Sequence, residues 1–422
     1  MCLAEQDKDF DANIIMSNKT PPLAYLVSVY PAVSHTFILR EIKRLRELGH
    51  DIVTASINQP DRPSEAMEPY ERSEAESTYF VKADGVTGAL LALLYWFLKT
   101  PVRLANMLRS SLGLGHGWLH GLAYGVEAAM VARWMTQQHR AHLHVHFGNA
   151  GATVGVLVKQ LTGCHLSYTI HGPDEFDDVP GQHLALKMEK ADAVICISQF
   201  ARGQLMRISH PDHWPKFKVC RLGVDPEQFD FSLHEPGLIT QLLCVGRLAS
   251  AKGQVLLVQA CARLRDQGLA FHLTMVGAGP DRERIEKAVS EMKMAKHISL
   301  TGALNQEGVR KQLAGADVFV LPSLAEGIPV VLMEAMSSGV PCISTPVNGI
   351  PELIQHERTG LLAIPGDVDS LTEQLQKLIQ EPALRPALAL AAREKIRADF
   401  NLPRNVEMLS SIFSQFPPTR NH

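Results

Sequence analysis

Five side chains stand out by type and spacing: Arg247, Lys252, Glu326, Glu334 and His171. Arg247 follows Gly246 in CVGRLASAKG, and two cations five residues apart in one loop can embrace a diphosphate, the arginine by its planar fork and the lysine as a point charge. Solvation at the surface is the ordinary fate of such residues. Glu326 and Glu334 lie in PSLAEGIPVVLMEAMSSG, where Gly327 is expected to permit an unusual backbone turn and Ile328, Pro329 and Val330 to lead into a helix that Gly339 stops. Free amides at such a helix start suit an anionic phosphate. Carboxylates there repel phosphate, so they make chemical sense as acceptors for neutral hydroxyls of a sugar ring or ribose; capping or solvation is the competing reading.

In SYTIHGPDEFDD, His171 and Gly172 end an apolar run with Asp174 close behind. A histidine there can hydrogen-bond a substrate hydroxyl or oppose a phosphate, and Gly172 allows close backbone approach; a satisfied histidine at a strand end fits equally well. Ser34, His35 and Thr36 in SVYPAVSHTFILREI offer another anion seat at a helix start, which simple N-capping by Ser34 explains nearly as well. Gly277 and Gly279 in VGAGPDRERIE lack the third glycine of a dinucleotide fingerprint, so a tight strand-to-helix turn bordering a nucleotide is expected instead of a hydride-transfer site. His142, His144 and His146 alternate onto one strand face, but no Asp, Glu or Cys stands nearby at ligand spacing, so no metal is expected. No GxSxG elbow or P-loop occurs.

These segments need elements to hold them. Short runs without polar alternation, each followed by a helix-compatible stretch, predict an α/β fold with parallel strands covered on both faces. The predicted strands are 23–29, 51–57, 142–147, 166–170 and 193–198, then 241–246, 271–277, 297–302, 317–323, 341–345 and 360–364. In such doubly wound sheets ligands bind at the carboxyl ends of strands, where all the segments above fall. A lead-in over 1–22 is expected to be disordered, with Met16 a second candidate start, followed by domains over 23–222 and 223–400 and a C-terminal helix and tail over 401–422 that packs back on either domain, the N-terminal one included.

The 422 residues suit two or three domains, and 44 acidic against 41 basic side chains argue against a nucleic-acid partner. Seven cysteines without a CxxC pair argue against a disulfide framework and for a reducing compartment. Residues 1–22 carry no apolar signal core. The longest apolar run, 86–98, is shorter than the roughly 20 residues of a spanning helix, so no transmembrane span is expected. With Tyr95 and Trp96 inside it and Lys99, Arg103 and Arg109 after it, that run suits either a membrane surface or, being apolar all round, a buried helix.

Taken together, VGRLASAKG, VGAGPDR, the spacing from Glu326 to Glu334, GVPCISTPVNGIPELI, TGLLAIPGD, LGVDPEQF and His171–Gly172 resemble glycosyltransferase family 4, the retaining GT-B enzymes, over about residues 23–410. YPAVSHTFILREI, HVHFGNAG and TIHGPDEFDD look most like its exopolysaccharide and colanic-acid branch. The resemblance implies two Rossmann-like domains facing a cleft, the second holding a UDP- or GDP-linked sugar and the first a saccharide or polyprenyl-linked acceptor. It implies catalysis without cofactor or metal, in the cytoplasm, either free there or at the membrane's inner face. It also implies Arg247 and Lys252 on the diphosphate, Glu334 on the ribose, Glu326 on the sugar, and His171 reaching that sugar from the other domain. Two departures are Ser34, His35 and Thr36 where the family has paired glycines, and Asn348 where glycine is commoner. A nucleotide-sugar epimerase and a non-catalytic sugar-nucleotide-binding subunit are the competing functions; a phosphorylase is disfavoured.

Overall fold

The computed structural model describes residues 22–416, so the expected disordered lead-in, Met16 and the last six residues lie outside the described residues. Two separate parallel sheets organise the chain. The first comprises β1 (Leu23–Val29), β2 (Ile52–Asn58), β3 (Tyr79–Phe80), β4 (His142–His146), β5 (His165–Ile170), β6 (Ala193–Cys196) and β7 (Phe217–Val219), in the order β3-β2-β1-β4-β5-β6-β7. The second comprises β8 (Thr240–Val245), β9 (Phe271–Val276), β10 (Ile298–Gly302), β11 (Val318–Leu321), β12 (Cys342–Ser344) and β13 (Leu361–Leu362), in the order β10-β9-β8-β11-β12-β13. Strand order reverses between β1 and β4 and again between β8 and β11, which opens a crevice beyond the strand ends at each point.

The central strands are continuous apolar runs because helices cover both faces, as the wholly buried pattern of β4 and β11 shows. The six described cysteines are free and buried within these layers. The chain crosses between the domains twice at one place. Val224 donates its amide to the Phe400 carbonyl and Leu402 donates to Val224, at 3.0 Å each, so outgoing and returning segments run side by side. The last helix, Leu402–Phe413, then lies on the first domain, burying Val406, Leu409, Ile412 and Phe413 against Tyr25, Ile38, Ile42 and Leu45. Each such side chain contributes about 1.5–3 kcal/mol of burial, so the first domain's core is completed by the chain's end.

The apolar run at 86–98 is not buried all round, which corrects one of its two readings. The helix Gly85–Lys99 docks through Gly88, Ala92 and Trp96, whose indole donates to the Ala129 carbonyl at 3.0 Å. Val86, Leu90, Leu94, Phe97 and Leu98 stay exposed, as do Val102, Trp118 and Leu119 on the next two helices. By length and composition the helical segment Val81–Lys99 could cross a membrane, a length the 86–98 run alone did not reach.

Candidate active site

The second sheet's reversal point brings two loops together. After β8, residues 246–253 turn back on the segment after β11, because the Ala251 carbonyl accepts the amides of Leu324 at 2.7 Å and Ala325 at 3.3 Å. This tie sets Lys252 against Glu326: Lys252 Nζ donates to Glu326 Oε1 at 2.5 Å, and Ser323 Oγ donates to the same oxygen at 2.7 Å. Glu326 is buried and Lys252 only partly so, which suits a carboxylate held in place beside an accessible cation. Arg247 is exposed in the same loop, and its side chain makes no hydrogen bond or ion pair among the described residues. Gln254 fixes its backbone by donating Nε2 to the Arg247 carbonyl at 2.9 Å.

Gly277 and Gly279 buttress this loop. A Cβ at Gly277 would lie 1.9 Å from the Gly246 carbonyl oxygen, and one at Gly279 would lie 2.2 Å from that of Leu248. Gly246 itself has room for a Cβ, the nearest atom being Leu321 Cδ1 at 3.9 Å.

The helix Val330–Ser338 starts at Pro329, which occupies the capping position, and stops at Gly339 with φ of 87°. Ile328 and Pro329 are buried, and Val330 is half-buried beside them. Gly327 does not adopt a left-handed backbone, contrary to the expected unusual turn; the constraint is space. A Cβ there would lie 2.1 Å from the His171 carbonyl oxygen, and a Cβ at Gly349 would lie 2.3 Å from the Gly327 carbonyl oxygen. Three loop backbones thus meet with no side chain between them, two from the second domain and one from the first. Asn348 meets its part of this loop at φ of 48°, a conformation asparagine tolerates.

Across the cleft, His171 is fixed from several sides. Its amide and that of Gly172 donate to Glu175 Oε2 at 2.5 and 2.7 Å, and Gly148 donates to Oε1. Burial lifts the Glu175 carboxyl to about 7 against the opposing pull of those amides. Burial also brings Lys187, which donates to the Gly148 and Asn149 carbonyls at 2.8 Å, down to about 7. The His171 ring lies 4.8 Å from Phe37 and 4.5 Å from Phe147, centroid to centroid, and burial lowers its pKa well below that of free histidine. Asp174 is exposed beside this loop. Ser34 and His35 lie in the turn Val33–His35, and the following helix starts at Thr36 with His35 at the cap. His35 Nδ1 lies 3.4 Å from the Val29 carbonyl oxygen.

The alternating histidines find partners that no local spacing revealed. His142 and His144 both reach Ser167 Oγ at 2.8 Å, and His144 Nε2 reaches Thr169 Oγ1 at 3.0 Å. His146 meets Glu41 from the helix Thr36–Glu47, so a carboxylate does stand within ligand range of this strand. Glu41, His144 and His146 place candidate ligand atoms within 4.8 Å of one another, with both His144 nitrogens already hydrogen-bonded.

Glu334 points across the cleft and pairs with Arg40 at 2.9 Å. A second interdomain clamp joins Glu352 to the Phe200 amide at 3.0 Å and to Arg221 at 3.2 Å. Arg40, Glu41 and Glu175 were not singled out by sequence reasoning. Glu175 alone carried a local signal, since Gly172-Pro-Asp-Glu175 has the spacing at which an acidic residue folds back on the amides of a turn start.

Two parallel α/β domains whose strand-end loops face each other, with cations and carboxylates at the second reversal point, define a GT-B glycosyltransferase. The family model for glycosyl transferases group 1 matches residues 227–395. The amylovoran biosynthesis glycosyltransferase AmsK of Erwinia amylovora is 30% identical over 406 residues, covering 90% of this chain and 96% of that protein. The putative colanic acid biosynthesis glycosyltransferase WcaL of Salmonella typhimurium is 29% identical over 413 residues, covering 92% and 98%. Among solved structures, sucrose-phosphate synthase from Thermosynechococcus elongatus superposes with a TM-score of 0.73 at 20% identity, covering 93% of this chain and 98% of that one. Anabaena Alr3699/HepE in complex with UDP and glucose gives 0.71 at 16%, covering 94% and 100%. The chain belongs to the group 1 glycosyltransferase family.

Proposed function

We propose that the protein is a retaining, metal-independent family 4 enzyme. It moves a sugar from a UDP- or GDP-linked donor to a saccharide or polyprenyl-linked acceptor in exopolysaccharide or glycolipid biosynthesis, in the cytoplasm at the inner face of the membrane. The observation that carries this reading is the contact of Lys252 with Glu326 beyond the ends of β8 and β11, with Arg247 exposed in the same loop as Lys252. As the bond from the sugar's anomeric carbon to the donor phosphate breaks, negative charge grows on the leaving diphosphate; Arg247, Lys252 and the helix start at Val330 stabilise it. The acceptor oxygen forms its new bond on the same face, and its proton passes to the departing phosphate oxygen. Glu326 accepts from sugar hydroxyls and Glu334 from the ribose. The names of AmsK and WcaL support the polysaccharide role, and the UDP and glucose of HepE support the donor class.

A thermal-shift screen with UDP, GDP, ADP and CDP tests the donor site, since a ligand bound only by the folded chain raises its Tm. No shift with any of the four sinks the reading. Product formed from nucleotide-sugar without acceptor would favour the epimerase instead.

Arg40 occupies Glu334 Oε1, one of the two oxygens a ribose hydroxyl could use. Arg40→Ala is therefore expected to tighten UDP binding by up to about fivefold, the scale of a partly exposed ion pair. Calorimetric titration giving unchanged or weaker binding removes Arg40 as a competitor.

The exposed face of Val86, Leu90, Leu94, Phe97 and Trp118, flanked by exposed Lys99, Arg103 and Arg109, is assigned by its charge to an anionic bilayer surface. Flotation with phosphatidylglycerol vesicles is expected to carry the wild type, and Leu94→Glu with Phe97→Glu to weaken binding about 100-fold. A wild type that stays in the soluble fraction ends the assignment, and a dimer lost in the variant gives the face to a second copy. Trp96 is a core residue and does not belong to this face.

A further inference from the structure

A chain of four buried side chains runs through the first domain to His171. Tyr25 in β1 donates its hydroxyl to Glu41 Oε1 at 2.9 Å. Burial and the neighbouring Glu41 raise the phenol pKa well above its ordinary value, so it remains a donor. Glu41 Oε1 lies 3.2 Å from His146 Nε2, and His146 Nδ1 lies 2.9 Å from His171 Nε2. His171 Nδ1, on the far side of the ring, is buried and has no hydrogen-bond partner among the described residues.

Each contact constrains the next. Glu41 Oε1 already accepts from Tyr25, so a His146 bearing one proton points it from Nε2 at that oxygen and presents a lone pair at Nδ1. That lone pair needs a donor, so His171 carries its proton on Nε2. Its unpartnered Nδ1 is then an acceptor, and an acceptor attracts a hydroxyl and repels phosphate oxygen. Turning the ring over about Cβ–Cγ would put Cε1 where Nε2 now meets His146, so that contact holds the ring's orientation. Its backbone is held as well, by the Glu175 carboxylate on the amide and by Gly327 packed against the carbonyl.

We propose that Tyr25, Glu41 and His146 are positioning residues that set the tautomer of His171, so that its Nδ1 accepts a hydrogen bond from a hydroxyl of the transferred sugar. The assignment rests on the donor-sugar role given to His171 above. It narrows that role to a neutral acceptor and excludes a phosphate contact.

Nitrogen NMR of the full chain labelled with 15N-histidine reads the tautomer directly, with the His171 signals identified by their loss in His171→Asn. The wild type is expected to show His171 protonated at Nε2 and bare at Nδ1. Glu41→Leu, which removes the acceptor, should abolish that single tautomer and lower the release of UDP from UDP-glucose, or of GDP from GDP-mannose, about tenfold. Affinity for UDP, which has no sugar to contact, should stay within about twofold, and Glu41→Asp should recover part of the turnover. A wild-type His171 protonated at Nδ1 overturns the proposal whatever the variants do, as does a Glu41→Leu protein with unaltered tautomer and turnover. Absence of any UDP binding by the wild type would instead sink the glycosyl-donor reading while leaving the tautomer measurement valid.

Discussion

Alanine at Gly327 is expected to lower turnover at least about 100-fold while leaving each domain folded. The new Cβ would lie 2.1 Å from the His171 carbonyl oxygen and 3.3 Å from Ile197 Cδ1, and a carbonyl in a buried loop cannot swing aside as a flexible side chain could. Relief requires the Gly327 loop to leave the first domain by something on the order of 1 Å, and a misplacement of that size can cost about 100-fold in rate. Ile197 and Ile328 beside this point belong to a core shared with Leu243 and Val245 of β8, while the other faces of the two sheets lie apart from it, so calorimetry should show a lowered but still cooperative transition. The control is Gly172→Ala. Its Cβ would lie 3.6 Å from Gly327, an ordinary contact, so turnover should stay within about threefold. Wild-type rates for Gly327→Ala, or equal damage from both substitutions, would show that the close approach of these loops is unimportant.

Arg247→Ala and Lys252→Ala are each expected to reduce turnover about 10²- to 10³-fold, the usual effect of removing a group aimed at transition-state charge. Their effects on stability should differ. Arg247 is exposed without a side-chain partner among the described residues, so its loss should leave Tm nearly unchanged. Lys252 neutralises the buried Glu326, and its removal leaves that carboxylate with Ser323 alone, at a cost of about 1–3 kcal/mol. Steady-state rates beside thermal unfolding separate the two effects. Retained turnover in either variant would remove that residue from the diphosphate site.

The central strands were legible in the sequence because burial on both faces leaves an uninterrupted apolar run; β1 matches its predicted span of 23–29 residue for residue. The edge strands β3 and β7 were not expected. They are two and three residues long, pair on one side only, and give periodicity too little length to register. Cations that share a single loop were visible as well, as with Arg247 and Lys252. Chemistry assembled between distant segments was not: Arg40 acquires its meaning from Glu334, and Glu41 from His146, only when the sheets are built. Gly327 was conspicuous in the sequence, but its role comes from the neighbouring domain and not from its own dihedral angles. The helix Gly85–Lys99 misled for a related reason, since uniform apolarity does not say which face the rest of the fold leaves uncovered.

The paired crossing at Val224 and Phe400–Leu402 gives the molecule two adjacent tethers in place of one. Neither half is a simple slice of the chain: residues 23–222 taken alone would bare the surface that Leu409 and Phe413 seal. For the intact protein, the same doubling turns any widening of the gap into a rotation pivoting at the tethers, so displacement grows with distance from that pivot.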